Sequence, residues 1–269
     1  MMIGINTNSA SLVAQKNLVG NQAGLQTSIA RLSSGLRVNS ARDDAAGLAI
    51  ATRMSADIRG MDVAKRNAND GISALQVADG TLGAVSDNLQ RMRELAVQSA
   101  TGTLTSSDRT NLNAEFQALN TEVADQVSKA NFNGVKLLDG SAATLTIQTG
   151  AKTGETISAN LVNASAFDVG GDVTSVANAN TALTAIDTQL DNLNTGRATL
   201  GAGINRLDAA VSNLSTTMTN LSSARGRIMD ADFASETANL TRSQILQQAG
   251  TAMLAQANQL PNNVLSLLR

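Results

Sequence analysis

Residues 181–228 read TALTAIDTQLDNLNTGRATLGAGINRLDAAVSNLSTTMTNLSSARGRI, and their apolar positions recur at spacings of three and four. Leu183, Ile186, Leu190 and Leu193 are followed, after Arg197, by Leu200, Ile204, Leu207, Val211, Leu214, Met218 and Leu221, then Arg225 and Ile228. Side chains three and four apart share one helix face, and their sustained alternation is the a/d heptad of a coiled coil. A helix over 178–228 would be roughly 75 Å long at 1.5 Å per residue. That exceeds the diameter of a compact domain of this size, so the pattern predicts an elongated molecule. Arg197 and Arg225, standing at seam positions, are expected to bridge to acidic residues on neighbouring helices.

Such a helix needs a partner, and the N-terminal half offers one. Between residues 44 and 100, Ala51, Met54, Ile58, Met61, Ala68, Ile72, Leu75, Ala78, Leu82, Val85, Leu89 and Met92 mark a second long seam. Its 3,3,4 spacing around Leu75 and Ala78 departs from a strict heptad and predicts local overwinding. TGTLTSSD (101–108) is a break, with Thr105 or Ser106 as N-cap and Asp108 favourable in the first turn. Leu112, Phe116, Leu119, Val123 and Val127 then line a third helix. The short connection predicts that it folds back antiparallel on the second.

From residue 131 to about 172 the text turns to Gly, Thr, Ser and Asn with short alternations. FNGVKLLDG, TLTIQTG (Leu145 and Ile147 on one face) and ETISANL read as strands joined by Gly turns. Too short for a domain of its own, this stretch is expected to cap one end of the helices. The two chain ends carry amphipathic stripes: Leu18, Leu25, Ile29, Leu32 and Leu36 in 1–37, and Leu246, Met253, Ala257, Leu260, Val264 and Leu267 in 233–269. Neither stripe can be buried by its own helix. Either they pack on each other or on the main helices in the monomer, or they order only when many copies assemble.

The composition excludes much chemistry. Among 269 residues there is no His, Cys, Trp or Tyr, with 4 Phe and 1 Pro, while 42% are hydrophobic. Small aliphatic contacts must therefore form the core. Without His or Cys there is no Ser-His or Cys-His nucleophile, no zinc site with nitrogen or sulfur ligands and no disulfide. A net charge of -2 and the lack of stacking aromatics speak against nucleic-acid binding. No apolar run approaches the ~18 residues of a membrane span, and MMIGINTNSASLVAQKNL lacks the basic and apolar regions of a Sec-type signal peptide. Asp43 and Asp44, like Asp230 and Asp232, read as helix-capping linker residues rather than as catalytic or metal-binding carboxylates. Gly201 and Gly203 lie inside the heptad with no preceding strand, so they read as close-contact positions rather than a phosphate loop.

Several of these stretches resemble bacterial flagellin. RLSSGLRVNSARDDAAGLAIA (31–51), RNANDGISALQVADG (66–80), LQRMRELAVQSA (89–100) and FNGVKLL (132–138) are similar to its N-terminal half. NLSSARGRIMDADFASETANLTRSQILQQAGTAMLAQANQLPNNVLSLLR (220–269) resembles its C-terminus almost word for word. The resemblance implies a mainly α fold: an elongated coiled-coil helical bundle with a small β-hairpin region and paired N- and C-terminal helices. It also implies a division into an inner-core helix and linker (1–44), a helical rod domain (45–232, hairpins at about 131–175) and a C-terminal inner-core helix (233–269). Family members carry outer domains inserted mid-chain, and here that insertion is nearly absent, which marks a minimal form.

The function so implied is structural and not enzymatic. Copies polymerise through their terminal helices into the flagellar filament for swimming motility, with no catalytic, cofactor or metal residues. The self-assembly stripe comprises Leu18, Leu25, Ile29, Leu32, Leu36, Leu246, Met253, Leu260, Val264 and Leu267. The family is exported unfolded through the flagellar type III channel, without a cleaved signal peptide, to the extracellular filament. Implied partners are further copies of the chain, an export chaperone on 234–269, the export gate, junction and cap proteins, and the host Toll-like receptor 5, with no nucleic acid and no membrane insertion. Receptor recognition maps onto Arg91, Leu95 and Glu115. The alternative is a hook–filament junction protein of the flagellar axial family, against which the C-terminal NNVLSLLR argues.

Overall fold

The computed structural model describes the backbone of residues 7–267, and their side chains apart from 166 and 260–267. Five helices carry most of it: α1 (Ser9–Ser34), α2 (Ala45–Ser99), α3 (Ser106–Lys129), α4 (Val176–Met229) and α5 (Phe233–Leu267). Between α3 and α4 lie two antiparallel hairpins, β1 (Asn131–Phe132) with β2 (Val135–Lys136) and β3 (Thr144–Gln148) with β4 (Thr156–Asn160), then a 3-10 turn at Ala164–Phe167. The chain divides into two units, one made of Asp57–Thr219 and one of Met1–Ala56 with Asn220–Arg269. The division falls inside the two long helices, and both chain ends share a unit.

In the middle unit α2 and α4 run antiparallel. Arg93 pairs with Asp187, Asp79 with Arg197, and a Cβ on Gly203 would meet Leu75. The heptad on α4 is buried unequally. Ile186, Leu193, Leu200 and Leu207 are 0% exposed, whereas Leu183, Leu190, Ile204 and Val211 are half-buried. Arg197 belongs to the second row, which explains how a seam position tolerates a guanidinium. On α2 both rows are closed: Ala68, Leu75, Leu82 and Leu89 in one, Ala78, Val85 and Met92 in the other. This helix is flanked by α4 and by α3, which folds back on it as the short connection predicts. Arg91 reaches Glu115, and Asn88 donates to Gln126.

Thr105, not Ser106, caps α3. Its hydroxyl accepts the Asp108 N–H while the Asp108 carboxylate accepts the Thr105 N–H, a reciprocal capping box. These Thr105 hydrogen bonds, from side chain first and then backbone, hold the Asp108 carboxyl below its usual range.

The hairpins form where expected, and Asn133-Gly134 turns β1 into β2 with φ of 48° and 81°, the primed-turn geometry those residues favour. Their placement differs from a cap. The β3–β4 hairpin lies along the middle of α2 and α4, where four glycines open the helix surfaces. A Cβ on Gly71 would sit 2.2 Å from Ile147 Cδ1, one on Gly196 2.8 Å from Val162 Cγ2, and one on Gly60 2.8 Å from Ala151 Cβ. One on Gly203 would lie 3.4 Å from Ala159 Cβ. Missing side chains at these positions let a sheet face settle between the helices.

The segment from the 3-10 turn to α4 is held by amides on one face of α3. Asn113 accepts the Val173 N–H at 3.0 Å, Gln117 donates to the Gly171 carbonyl at 2.6 Å, and Asn120 accepts the Val169 N–H at 3.2 Å. Phe167 and Val173, 2% and 0% exposed, close the core beneath them.

Candidate functional site

The terminal unit places α1 and α5 side by side and antiparallel. Asn8 donates to the Ala257 carbonyl at 2.8 Å, Ser11 to Asn258 at 2.9 Å and Asn21 to the Ser243 carbonyl at 2.7 Å. Nearer the linkers, Arg31 Nη1 stands 3.7 Å from Glu236 Oε2. Asn8 caps α1 by accepting the Ser11 N–H, and Asp232 caps α5 by accepting the Ala234 and Ser235 N–H groups. Small residues let the helices approach: a Cβ on Gly24 would lie 3.9 Å from Ser243 Oγ, and one on Gly250 3.3 Å from Leu18 Cδ1.

The two linkers are joined as well. Leu36 bridges Asp230, Arg37 N–H donates to the Met229 carbonyl, and Val38 is 0% exposed. Asp44 opens α2 by accepting the Gly47 N–H at 2.7 Å. Asp43 Oδ2 accepts from the Asn39 and Ser40 N–H groups and the Ser40 hydroxyl, and these bonds, with the Ser40 backbone bond foremost, lower its pKa. Asp44 and Asp232 thus cap helices, whereas Asp43 ties the linker to itself. Arg225 departs from expectation: it donates to the Ser55 hydroxyl at 3.3 Å rather than to a carboxylate. Arg197 does reach an acid, Asp79.

The helix pair is turned inside out. Its buried side chains, among those described, are Ser11, Ser28, Glu236 and Ala257, and Leu18, Leu25, Leu32 and Leu36 are half-buried. Leu12, Val13, Val19, Ile29, Phe233, Ile245, Leu246 and Met253 are all 51–65% exposed. Of the stripe read from sequence, Ile29, Leu246 and Met253 thus face outward. The side chains of Leu260, Val264 and Leu267 lie outside those described. Val13, Leu18, Leu246, Gly250 and Met253 line a shared groove of about 680 Å3. The outward Leu12, Val13, Val19 and Ile245 were missed because they fall off the heptad rows. Counting every large apolar residue on each helix, rather than the best row, would have found them.

Arg91, Leu95 and Glu115 come together in the middle unit but do not share an environment. Arg91 and Glu115 are half-exposed and paired at 2.9 Å, and Glu94 joins them at 2.8 Å. These bonds, Glu94 first, raise the Arg91 pKa. Leu95 is 1% exposed and belongs to the core, so no partner reaches its side chain while the helices stay packed. Gly203 is a close-contact position, whereas a Cβ on Gly201 would meet nothing within 4 Å, so only one of the two glycines serves packing. Among the described residues no helix is long and apolar enough to cross a membrane, and no acidic group of three could hold a metal ion.

Residues 5–143 match the family model for the bacterial flagellin N-terminal helical region, and residues 183–268 that for the C-terminal helical region. The chain is 47% identical to a flagellin of Halalkalibacterium halodurans over 98% of its own length and 99% of that protein's. It is 42% identical to a flagellin of Xenorhabdus nematophila, again over 98% and 99% of the two chains. Alignment with Flagellin A of Vibrio cholerae runs to 379 positions, yet takes in all of this shorter chain. The crystal structure of Bacillus cereus flagellin superposes with a TM-score of 0.52 at 33% identity, covering 60% of this chain and 94% of that one. A flagellar hook-associated protein structure from Vibrio parahaemolyticus, described as putative, has a TM-score of 0.60 at 18% identity, covers 70% of this chain and all of that one, and shares the fold alone. With helical regions of the family at both ends and little between them, this chain belongs to the bacterial flagellins as a minimal form.

Proposed function

We propose that copies of this chain build the flagellar filament used for swimming by burying the outward apolar faces of α1 and α5 against neighbouring copies. The observation that carries this reading is the inside-out helix pair. Eight large apolar side chains on it are at least half exposed, and each full burial is worth ~1.5–3 kcal/mol. A head-to-tail contact that does not close on itself yields a helical polymer. No chemistry is assigned to the chain; it is a structural subunit, and its lack of His and Cys accords with that.

In this reading the chain leaves the cell unfolded through the flagellar export channel and functions outside. The export chaperone would take 234–269, and junction and cap proteins would contact the two ends of the polymer. Host Toll-like receptor 5 would meet the monomer at Arg91 and Glu115, with Leu95 holding the helices beneath them in place.

Electron microscopy of polymerised, purified chain tests the assembly mechanism. Long filaments of this chain alone are expected, and none after removal of 1–37 or 233–269, with the helical signal of the middle unit retained. Filaments formed by either truncated chain would refute the role of the terminal helices. A requirement for a second subunit would favour the junction-protein reading.

A further inference from the structure

The leucine row of α1 does not by itself specify how α1 and α5 align. Leu18, Leu25 and Leu32 stand seven residues apart, so a slip of one heptad presents the same leucine row again. The facing row on α5 is Glu236, Ser243, Gly250 and Ala257, also seven apart, with the half-buried Leu240 and Leu254 in the row beside it. Hydrogen bonds from Asn8 and Asn21 go to main-chain carbonyls, which every turn of a helix repeats.

Two side-chain contacts do not repeat: the Ser11 hydroxyl bond to Asn258 near one end of the pair, and the charged contact of Arg31 with Glu236 near the other. Glu236 is 8% exposed, and Arg31 is the residue that answers its charge. The other cation on α1 is Lys16, four turns away and exposed. Within the terminal unit this is the one ion pair among the described residues. The Arg31 Nε is buried, and its Nη1 stands 3.7 Å from the Glu236 carboxylate. A heptad slip leaves one buried charge facing a serine or the end of α1, which is far more costly than the loss of a surface pair. A single polar residue fixing alignment at a cost in stability is a known device of coiled coils.

We infer that Arg31 and Glu236 are positioning residues that set the register of the α1–α5 pair, and through it the groove and outward face that a second copy buries. The inference rests on the assembly reading above, because register matters only if the composite surface is used.

Disulfide trapping reads the register directly. The chain has no cysteine, and a Cβ on Gly24 would lie 3.9 Å from Ser243 Oγ, within reach of a disulfide. Gly24→Cys with Ser243→Cys reports the native register, and Gly24→Cys with Gly250→Cys the slip of one heptad. Each pair is placed in the full chain and incorporated as a minor fraction into polymer of the parent chain. The native-to-slipped yield should fall about tenfold or more with Arg31→Glu or Glu236→Arg alone, through loss of the paired charge. The swap Arg31→Glu with Glu236→Arg should restore it. Single reversals that leave the yield ratio unchanged, or a swap that fails to restore it, would overturn the inference. Failure of the parent chain to polymerise would instead remove the assembly reading.

Discussion

Asp79 and Arg197 join α2 to α4 by a two-pronged ion pair, Nε to Oδ1 at 2.7 Å and Nη2 to Oδ2 at 3.3 Å. Their side chains remain 36% and 41% exposed, so water competes for both charges. Such a pair contributes about 0.2–1 kcal/mol. Asp79→Asn should therefore lower the melting temperature by no more than ~2–4 °C in a chain of this size, and less in high salt. A larger loss in a thermal scan would mean that the pair does more than tie two half-exposed rows together.

The glycines of α2 should respond to alanine with opposite signs. Gly80 and Gly83 have open space where a Cβ would go, so alanine there should stabilise the monomer by up to ~1 kcal/mol through helix propensity. Gly71 sits under Ile147, whose Cδ1 would lie 2.2 Å from the new carbon. Gly71→Ala should cost ~1–3 kcal/mol, as overpacking does. Adding Ile147→Val removes the clashing methyl and should recover most of the loss. Denaturant unfolding of the two single variants and the double variant gives the coupling. Strict additivity would place the hairpin elsewhere.

The helices were legible in the sequence because their core rows repeat without interruption, as with Leu193, Leu200 and Leu207. The reading located the seams but not their depth: that Arg197 stands in the half-exposed row depends on where α2 lies. The hairpin's seat was not legible: Gly203 reads as a close-contact position, but nothing in the sequence ties it, or Gly60, Gly71 and Gly196, to Ala159, Ala151, Ile147 and Val162. Asn113, Gln117 and Asn120 follow no pattern in the sequence, and only the main chain of 169–173 reveals what they hold. At the candidate site the ends were legible as assembly helices from stripe and resemblance. The buried Glu236 was not, because a charged residue in a polar first turn is ordinary.

The α3 cap carries a pH dependence whose sign can be stated. Asp108 has its folded pKa depressed from 3.8 by its bonds to Thr105. Its contribution is therefore present above the unfolded value and is lost as pH falls through the lower folded value. Carbon-detected titration should place Asp108 below the ordinary carboxylate range in the parent chain. It should move back toward that range in Thr105→Val, with fraying of the first turn of α3 that no longer changes with acid. An unshifted Asp108 in the parent chain would mean that the capping box is not formed in solution.

Arg91 and Leu95 lie one helical turn apart, and their substitutions should separate recognition from packing. Arg91 is half exposed and bonded to two carboxylates at the surface, so Arg91→Ala should leave the melting temperature close to the parent's. If the proposed receptor contact is right, the same variant should weaken Toll-like receptor 5 signalling by purified monomer in reporter cells. Leu95 is 1% exposed within the core of α2, α3 and α4. Leu95→Ala should cost ~2–5 kcal/mol through lost contacts and a cavity, and any loss of signalling should follow the loss of folded chain. Leu95→Met conserves volume and should restore both together. If Leu95→Met folds like the parent but fails to signal, the leucine is read directly, and α2 must open for its receptor.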